Sequence, residues 1–400
     1  MYVTRYLSQY KQLPSSLSLP PPEGPNSGYL VIQDEDSVGT TCFGLCKDTY
    51  IREMPFPQDK RLTVRYSTGV GKNERTYHDD VFFIPALNQP LSSNRYYVIK
   101  AHGRHKGEAY ASSNEDDKVT CCFFDCTTDV KPRELDYEDI YQQIEITAFE
   151  SCLGPSGYVA KSVAQDGFPP RFLARKGWEV NTSTPRNYQL CEAQGINASL
   201  RTRLPQFDFP LSSKTSGTVG VGKWYSPFVF IKEEGKLKDQ MKRSMFYEIK
   251  LEQQWKQIYE SENNLNDHNF VVVDVSVQKE VALLFGNEAL HNHTQVTEGV
   301  IWFSNVNGGG RGGEVGESKV GLSSAIVERM RWEQERVGWV GGGEKQVRVE
   351  RVEEFQGGNN GWKKYGCYIF VERFVFTRMD GSLLLTYEYR HAHQIRSKWE

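Results

Sequence analysis

The residues best suited to chemistry lie between Arg95 and Lys106. Lys100, His102, Arg104, His105 and Lys106 surround Gly103 and precede Gly107. A base-rich glycine turn at a strand end can hold a phosphate or sulfate, through backbone N–H groups and side-chain charge. Tyr96 and Tyr97 stand just before it and could stack a ring. A solvated basic loop offsetting Glu115, Asp116 and Asp117 is the plainer reading of the same residues. These five residues are therefore the candidate ligand-binding set, and the ligand they suit is a small anion.

Two further sets have ligand-like spacing. Cys42 and Cys46 form one Cys-X3-Cys pair, and Cys122 and Cys126 form another. Four thiolates from two loops could close a tetrahedral zinc site. Aromatic residues fill both gaps, however, and a strand puts residues i and i+4 on one face, so buried packing thiols are preferred. His291 with His293, and His391 with His393, each place two imidazoles on one side of an extended chain. No third ligand is fixed by spacing. No metal or other cofactor is expected. The run Gly308–Gly316 lacks the lysine and hydroxyl of a phosphate loop and reads as a flexible connection. Neither a nucleophile elbow nor a dinucleotide fingerprint occurs. The motifs therefore point to a protein that binds rather than transforms.

The elements that must position these groups are mostly strands. The chain has 400 residues, 38% apolar, 25% charged and 12% aromatic, with a net charge of −3. That aromatic content and small charge exclude disorder over most of the length. The near balance of charge offers no field for nucleic acid. No apolar run approaches the ~20 residues of a membrane-spanning helix. Period-2 alternation recurs at Leu62, Val64 and Tyr66; at Met245, Tyr247, Ile249 and Leu251; at Val271, Val273, Val275 and Val277; and at Val347, Val349 and Val352 among Arg348, Glu350 and Arg351. These are half-buried antiparallel strands. Met379–Ser382 reads as a tight type I′ turn at Asp380-Gly381 between two strands of one hairpin.

Helices are fewer. Asp136 is placed to cap a helix to about Ile146, and Leu237–Met245 a short one feeding a strand. Ser324 opens a helix to about Val337, with Ile326, Met330 and Val337 as its stripe and Glu328, Arg329, Glu333 and Arg336 toward water. An aromatic hairpin repeats at 81–100, 228–250 and 374–390. The expected fold is mainly β, in tandem antiparallel modules with a few short helices; α+β is the alternative for the last third. Residues 1–27 read as an extended proline-rich lead-in. Modules follow at 28–150 (ending in the Asp136 helix), 151–268 and 269–400.

Several stretches resemble a known family. They are Met1-Tyr-Val-Thr-Arg5, Pro20-Pro-Pro-Glu-Gly-Pro-Asn-Ser-Gly-Tyr-Leu-Val-Ile-Gln33, Asp79-Asp-Val-Phe-Phe-Ile-Pro85 and Gln89-Pro-Leu-Ser-Ser-Asn-Arg-Tyr-Tyr-Val-Ile-Lys100. Ala325-Ile-Val-Glu-Arg-Met330, Trp332-Glu-Gln-Glu-Arg336 and His393-Gln-Ile-Arg-Ser-Lys-Trp-Glu400 join them. Together they resemble the plant proteins grouped as domain of unknown function 1262. The resemblance implies a soluble plant protein with a loose link to stress or defence, and it carries no catalytic residues. Residues 305–319, rich in glycine, look like an insertion in that pattern. The N-terminus has no secretory or transit pattern, which suggests reduced cysteines, silent sequons at Asn181, Asn197 and Asn292, and the cytoplasm or nucleus. The leading expectation is a non-enzymatic binding or scaffold protein whose partner is a protein or a small anionic ligand, with a surface on the aromatic hairpins and basic loops. A small-molecule enzyme with its site between modules, and a membrane-active defence protein, are the alternatives.

Overall fold

The structure is a computed structural model. It describes residues 1–41, 46–68, 74–121, 124–150, 156–263, 269–297, 299–306, 317–357 and 361–400. The fold is mainly antiparallel β with a few short helices. The chain forms two compact units, Met1–Ala193 with Tyr225–Tyr247, and Gln194–Trp224 with Glu248–Glu400. The sequence predicts three consecutive modules, whereas these units take up the chain in alternating segments. The physical reason is long-range pairing: inside the second unit residues 248–262 lie on a strand that neighbours Lys364–Arg378, about a hundred residues further on.

The first unit is built on a seven-stranded antiparallel sheet. Its order is Gly157–Ser162, Gln143–Phe149, Arg95–Lys100, Arg75–Pro85, Arg61–Thr68, Glu179–Ser183, Tyr50–Ile51. One face carries Leu62, Val64, Val81, Phe83, Tyr96, Val98, Ile144, Ile146 and Tyr158 against Phe56 and Trp178. The aromatic hairpin at 81–100 forms as expected, with Phe83 opposite Val98 and Ile84 opposite Tyr97. Its rings are interior, so they offer no docking surface: Tyr96 and Tyr97 are buried.

Two expectations in this unit are overturned. Residues 1–27 are no extended lead-in. Tyr2–Tyr6 is a strand paired in parallel with Gly28–Ile32, Leu7–Gln12 is a helical turn and Pro14–Ser18 a 3-10 turn. Buried Tyr2 and Val3 hold that strand in the core, and their burial outweighs what the prolines further on suggest. The helix expected over 136–146 is a 3-10 turn at Ile140–Gln142 followed by the strand Gln143–Phe149. Asp139, not Asp136, is the cap, accepting from the Tyr141 N–H at 2.9 Å. Ile144 and Ile146 alternate with Glu145 and Thr147, and that period of two decides the outcome between two flanking strands.

Gly157 shows how closely this sheet is packed. A Cβ there would lie 2.4 Å from the Trp178 carbonyl oxygen and 2.8 Å from the Gly177 carbonyl carbon. Backbone cannot rotate away as a side chain can. Gly157→Ala is expected to destabilise the protein by about 1–3 kcal/mol, read as a lowered denaturation midpoint in urea.

The second unit holds a sheet ordered Val219–Pro227, Phe246–Glu262, Lys364–Arg378, Leu383–Trp399, Glu280–Leu284, Asn287–Glu288, where residues 225–227, 246 and 247 of the first two strands belong to the first unit. Lys364–Arg378 is buried on both faces. Tyr365, Cys367, Ile369 and Val371 pack on the ribbon made by Phe270–Gln278 and Gln346–Glu354. Burial pushes the Cys367 thiol up to about 11, so it is an inert packing group. Tyr368 and Phe370 face the other way, toward Trp255, Leu211 and the segment around Phe207.

The hairpin at 374–390 forms, with Phe374 opposite Tyr387. Its turn differs from the expected type I′. Only Gly381 has positive φ (83°), and Gly381 N–H bonds to the Arg378 carbonyl while Arg378 N–H bonds to the Ser382 carbonyl. A three-residue loop with one left-handed glycine needs no positive φ at Asp380. The middle member of the repeat does not form a hairpin: Phe228–Phe230 is a 3-10 turn.

Candidate functional site

The structure divides the sequence-predicted binding residues. Lys100 and His102 border a shallow depression of about 340 Å³ with His78, Asp79 and Asp80 opposite. The Lys100 ammonium also lies 5.6 Å over the Tyr110 ring. Arg104 is exposed. His105 stands in the left-handed region (φ 66°) and its Nδ1 lies 2.7 Å from the Glu108 carboxylate. Lys106 is lowered first by partial burial and then by Lys242 and Arg61. Four of the five residues thus answer to three different sets of neighbours, and Arg104 stands exposed. Cys42 and Cys122 lie outside the described residues. Cys46 and Cys126 sit on the short pairings Thr41 with Cys46 and Val119 with Cys126. Among the described residues no group of His, Cys, Asp or Glu is arranged to hold a metal ion.

A different constellation comes together in the second unit. Asn197 caps the helical turn Ala198–Arg201, its side chain accepting from the Leu200 N–H at 3.0 Å. That turn ends on Arg201, which is 8% exposed. The Arg201 guanidinium forks onto Glu372, donating from Nε at 2.9 Å and from Nη2 at 2.5 Å. It also donates to the Glu333 carboxylate at 3.1 Å and to the Glu333 carbonyl at 2.9 Å. Arg329 donates to the other Glu333 oxygen at 2.5 Å. Gln253 and Gln334 each donate an amide N–H to Glu372, at 2.9 and 2.8 Å. Arg329, Glu333, Gln253, Gln334, Glu372 and His391 are all 3% exposed or less.

The proton positions in this network follow from its partners. Gln334 Nε2 faces a carboxylate, so its Oε1 faces His391 Nε2 at 3.0 Å. His391 must then carry its proton on Nε2, leaving Nδ1 bare. Burial, the largest influence, pushes His391 down to about 4; Glu372 opposes this, while His393 and Arg201 reinforce it. For Glu372 burial works upward but is outweighed by Arg201 and Gln253, so its carboxyl is held below the usual carboxylate range. Two cations and two carboxylates therefore face each other with a neutral imidazole beside them.

Above this network is a cleft of about 610 Å³. Arg201, Gln253, Glu372, Trp255 and Phe370 line it, together with His393, Gln394, Arg396 and Arg336. A strand irregularity shapes it: Ile369 pairs with Ile395 but Phe370 pairs with His391, so Ala392, His393 and Gln394 loop out of the ladder. Arg336 and Val337, just past the helix Ser324–Glu335, line another side. The helix ends in a Schellman arrangement, with Trp339 N–H bonded to the Gln334 carbonyl, Gly338 N–H to the Glu335 carbonyl, and Gly338 at φ 89°. A Cβ on Gly338 would come 3.3 Å from the His393 ring.

Two features give the cleft directional chemistry. The amide of Gln253 is fixed, because Nε2 donates both to Glu372 and to the Arg201 carbonyl at 2.9 Å. Its Oε1 is buried with no donor among the described residues, as is Gln394 Oε1. The guanidinium of Arg396 is exposed and stacks 4.9 Å over the Trp255 ring. The cleft therefore offers positive charge from the rim, and an acceptor without a donor, Gln253 Oε1, is buried among the residues that line it.

Sequence reasoning missed these residues, although signals were present. In the helix, Ile326, Met330 and Val337 define a stripe on which position 333 falls, so Glu333 belongs inside. On the strand, Tyr368, Phe370, Phe374 and Phe376 define one face, and Glu372 occupies the same parity.

Comparison with known proteins adds little about activity. The family model described as "Protein of unknown function (DUF1262)" matches residues 23–123. The resemblance read from motifs along the chain is thus supported over that part. No curated protein matches the chain. Among solved structures, the crystal structure of Cry35Ab1 aligns with a TM-score of 0.45 at 10% identity, covering 86% of this chain and 90% of that one. Among the described residues no helix is long and apolar enough to cross a membrane, which says nothing of spanning by strands.

Proposed function

We propose that this protein is a non-enzymatic binding protein, and that its ligand is a small anion carrying a hydrogen-bond donor, held in the cleft above Arg201 and Glu372. The observation that carries this reading is the fixed, donor-less Gln253 Oε1 beneath a rim that bears Arg396. A buried acceptor without a donor costs about 1–3 kcal/mol, and a ligand hydroxyl or amine would recover it. The charged groups below are poor catalysts. Glu372 receives four hydrogen bonds from Arg201, Gln253 and Gln334, and His391 donates its only N–H to Gln334. The Thr202 hydroxyl at the cleft donates to the Ser199 carbonyl at 3.1 Å. A base already committed to such partners does not activate a nucleophile. The setting we propose is the plant cytoplasm or nucleus, in a stress or defence context, which a fluorescent fusion would check.

Calorimetric titration with hydroxy acids and sugar phosphates tests the reading. Saturable binding is expected, weakened about tenfold or more by Arg396→Gln, because a charge-assisted hydrogen bond contributes about 1.5–3 kcal/mol. It should weaken further as salt rises. Absence of saturation by every anionic probe, with the protein still folded, would discard it.

A further inference from the structure

A second cavity of about 690 Å³ opens on the other side of the same helix, beyond Gly338. Trp339 lines it, with Glu280, Glu335, Lys279, Arg331 and the Gly341-Gly342-Gly343 run. The Trp339 side chain is 4% exposed, yet its Nε1–H has no acceptor among the described residues. Its ring is fixed edge-on against Tyr389, with centroids 5.0 Å apart and planes at 89°. An interior N–H left unbonded is costly and calls for an acceptor from outside the chain.

The rest of the wall narrows the chemistry. Glu280 and Arg331 sit 3.7 Å apart, and the Tyr387 hydroxyl donates to Glu280 at 2.5 Å. Lys279 donates to the Gly341 carbonyl at 3.3 Å, which ties down the glycine run. Gly342 and Gly343 have open space where a side chain would begin, and Gly342 adopts φ 123°. The run therefore leaves room at the cavity wall. Acids and bases thus alternate around it, with no excess of one sign large enough to select an ion. A ligand that is uncharged, and that both donates and accepts at many points, fits such a wall better than an anion or a cation does.

We infer that this cavity is a binding site for a neutral polyhydroxyl compound of monosaccharide to disaccharide size, with one hydroxyl accepting from Trp339 Nε1–H. The site is independent of the anion cleft, and its test separates the two. The full chain is titrated with glucose, galactose, N-acetylglucosamine, myo-inositol, maltose and lactose, followed by saturation-transfer NMR. At least one should bind saturably. Trp339→Phe keeps the ring but removes the N–H, and should weaken that binding tenfold or more. Glu335→Gln, at an exposed helix position, should weaken it several-fold without disturbing the fold. Arg396→Gln should leave it unchanged. Binding that survives both Trp339→Phe and Glu335→Gln overturns the inference. So does tighter binding of gluconate or glucosamine than of glucose, or no saturation by any of the six while the protein remains folded. If Trp339→Phe fails to fold, the Glu335→Gln titration alone decides.

Discussion

Replacing Arg201 by methionine is expected to cost about 3–5 kcal/mol of stability, the largest single effect in the second unit. The reason is what remains behind. Glu372 would keep only the amide donors of Gln253 and Gln334, and Glu333 would keep Arg329 and a rim contact of 3.8 Å from Arg336. An interior carboxylate without its guanidinium must take up a proton or draw in water, and either costs free energy. The pair itself need not be strongly favourable, since much of its attraction offsets desolvation. The double replacement Arg201→Met with Glu372→Met is therefore expected to be less destabilised than the single one. Urea denaturation followed by tryptophan fluorescence gives both values. Seven of the eight tryptophans, Trp255 among them, belong to this unit, so the signal reports chiefly on it. A single-mutant loss below about 1 kcal/mol would mean that solvent reaches the carboxylates.

The strands were legible because alternation is a local property. Leu62 with Val64, and Val271 with Val273 and Val277, turn the faces that their spacing requires. What could not be read was which strands pair at long range, and hence how the chain divides into units. The candidate site suffered most from a rule that is sound on average: charged residues on a helix face water. Arg329 and Glu333 break it together, and each is inside only because the other residues of the network are there. Those partners come from residues 201, 253, 329–334 and 372, which nothing in local sequence connects. The basic loop at 100–106, by contrast, stands out in sequence as a base-rich glycine turn at a strand end, yet its side chains turn to separate neighbours.

The same network predicts acid lability with a defined window. His391 is held neutral in the folded protein, pushed down by burial to about 4 from 6.5. Between those values the unfolded chain binds a proton that the folded chain refuses, so stability falls as pH falls. The full loss is about 3 kcal/mol, from about 1.36 kcal/mol for each pH unit of the displacement. Glu372 acts in the same direction but lower on the scale. Its depressed carboxyl contributes stability that is complete above the ordinary carboxylate value, and it is lost only as pH drops through the folded one. Within this network the interval from about pH 6.5 to 4.5 therefore belongs to His391. His391→Gln supplies a neutral donor for Gln334 Oε1 with nothing to titrate. It should flatten the fall in urea midpoint over that interval while leaving the steeper loss below it. A slope that persists unchanged in this variant would place the proton uptake elsewhere, and with it the claim that a bare Nδ1 is sealed inside the second unit.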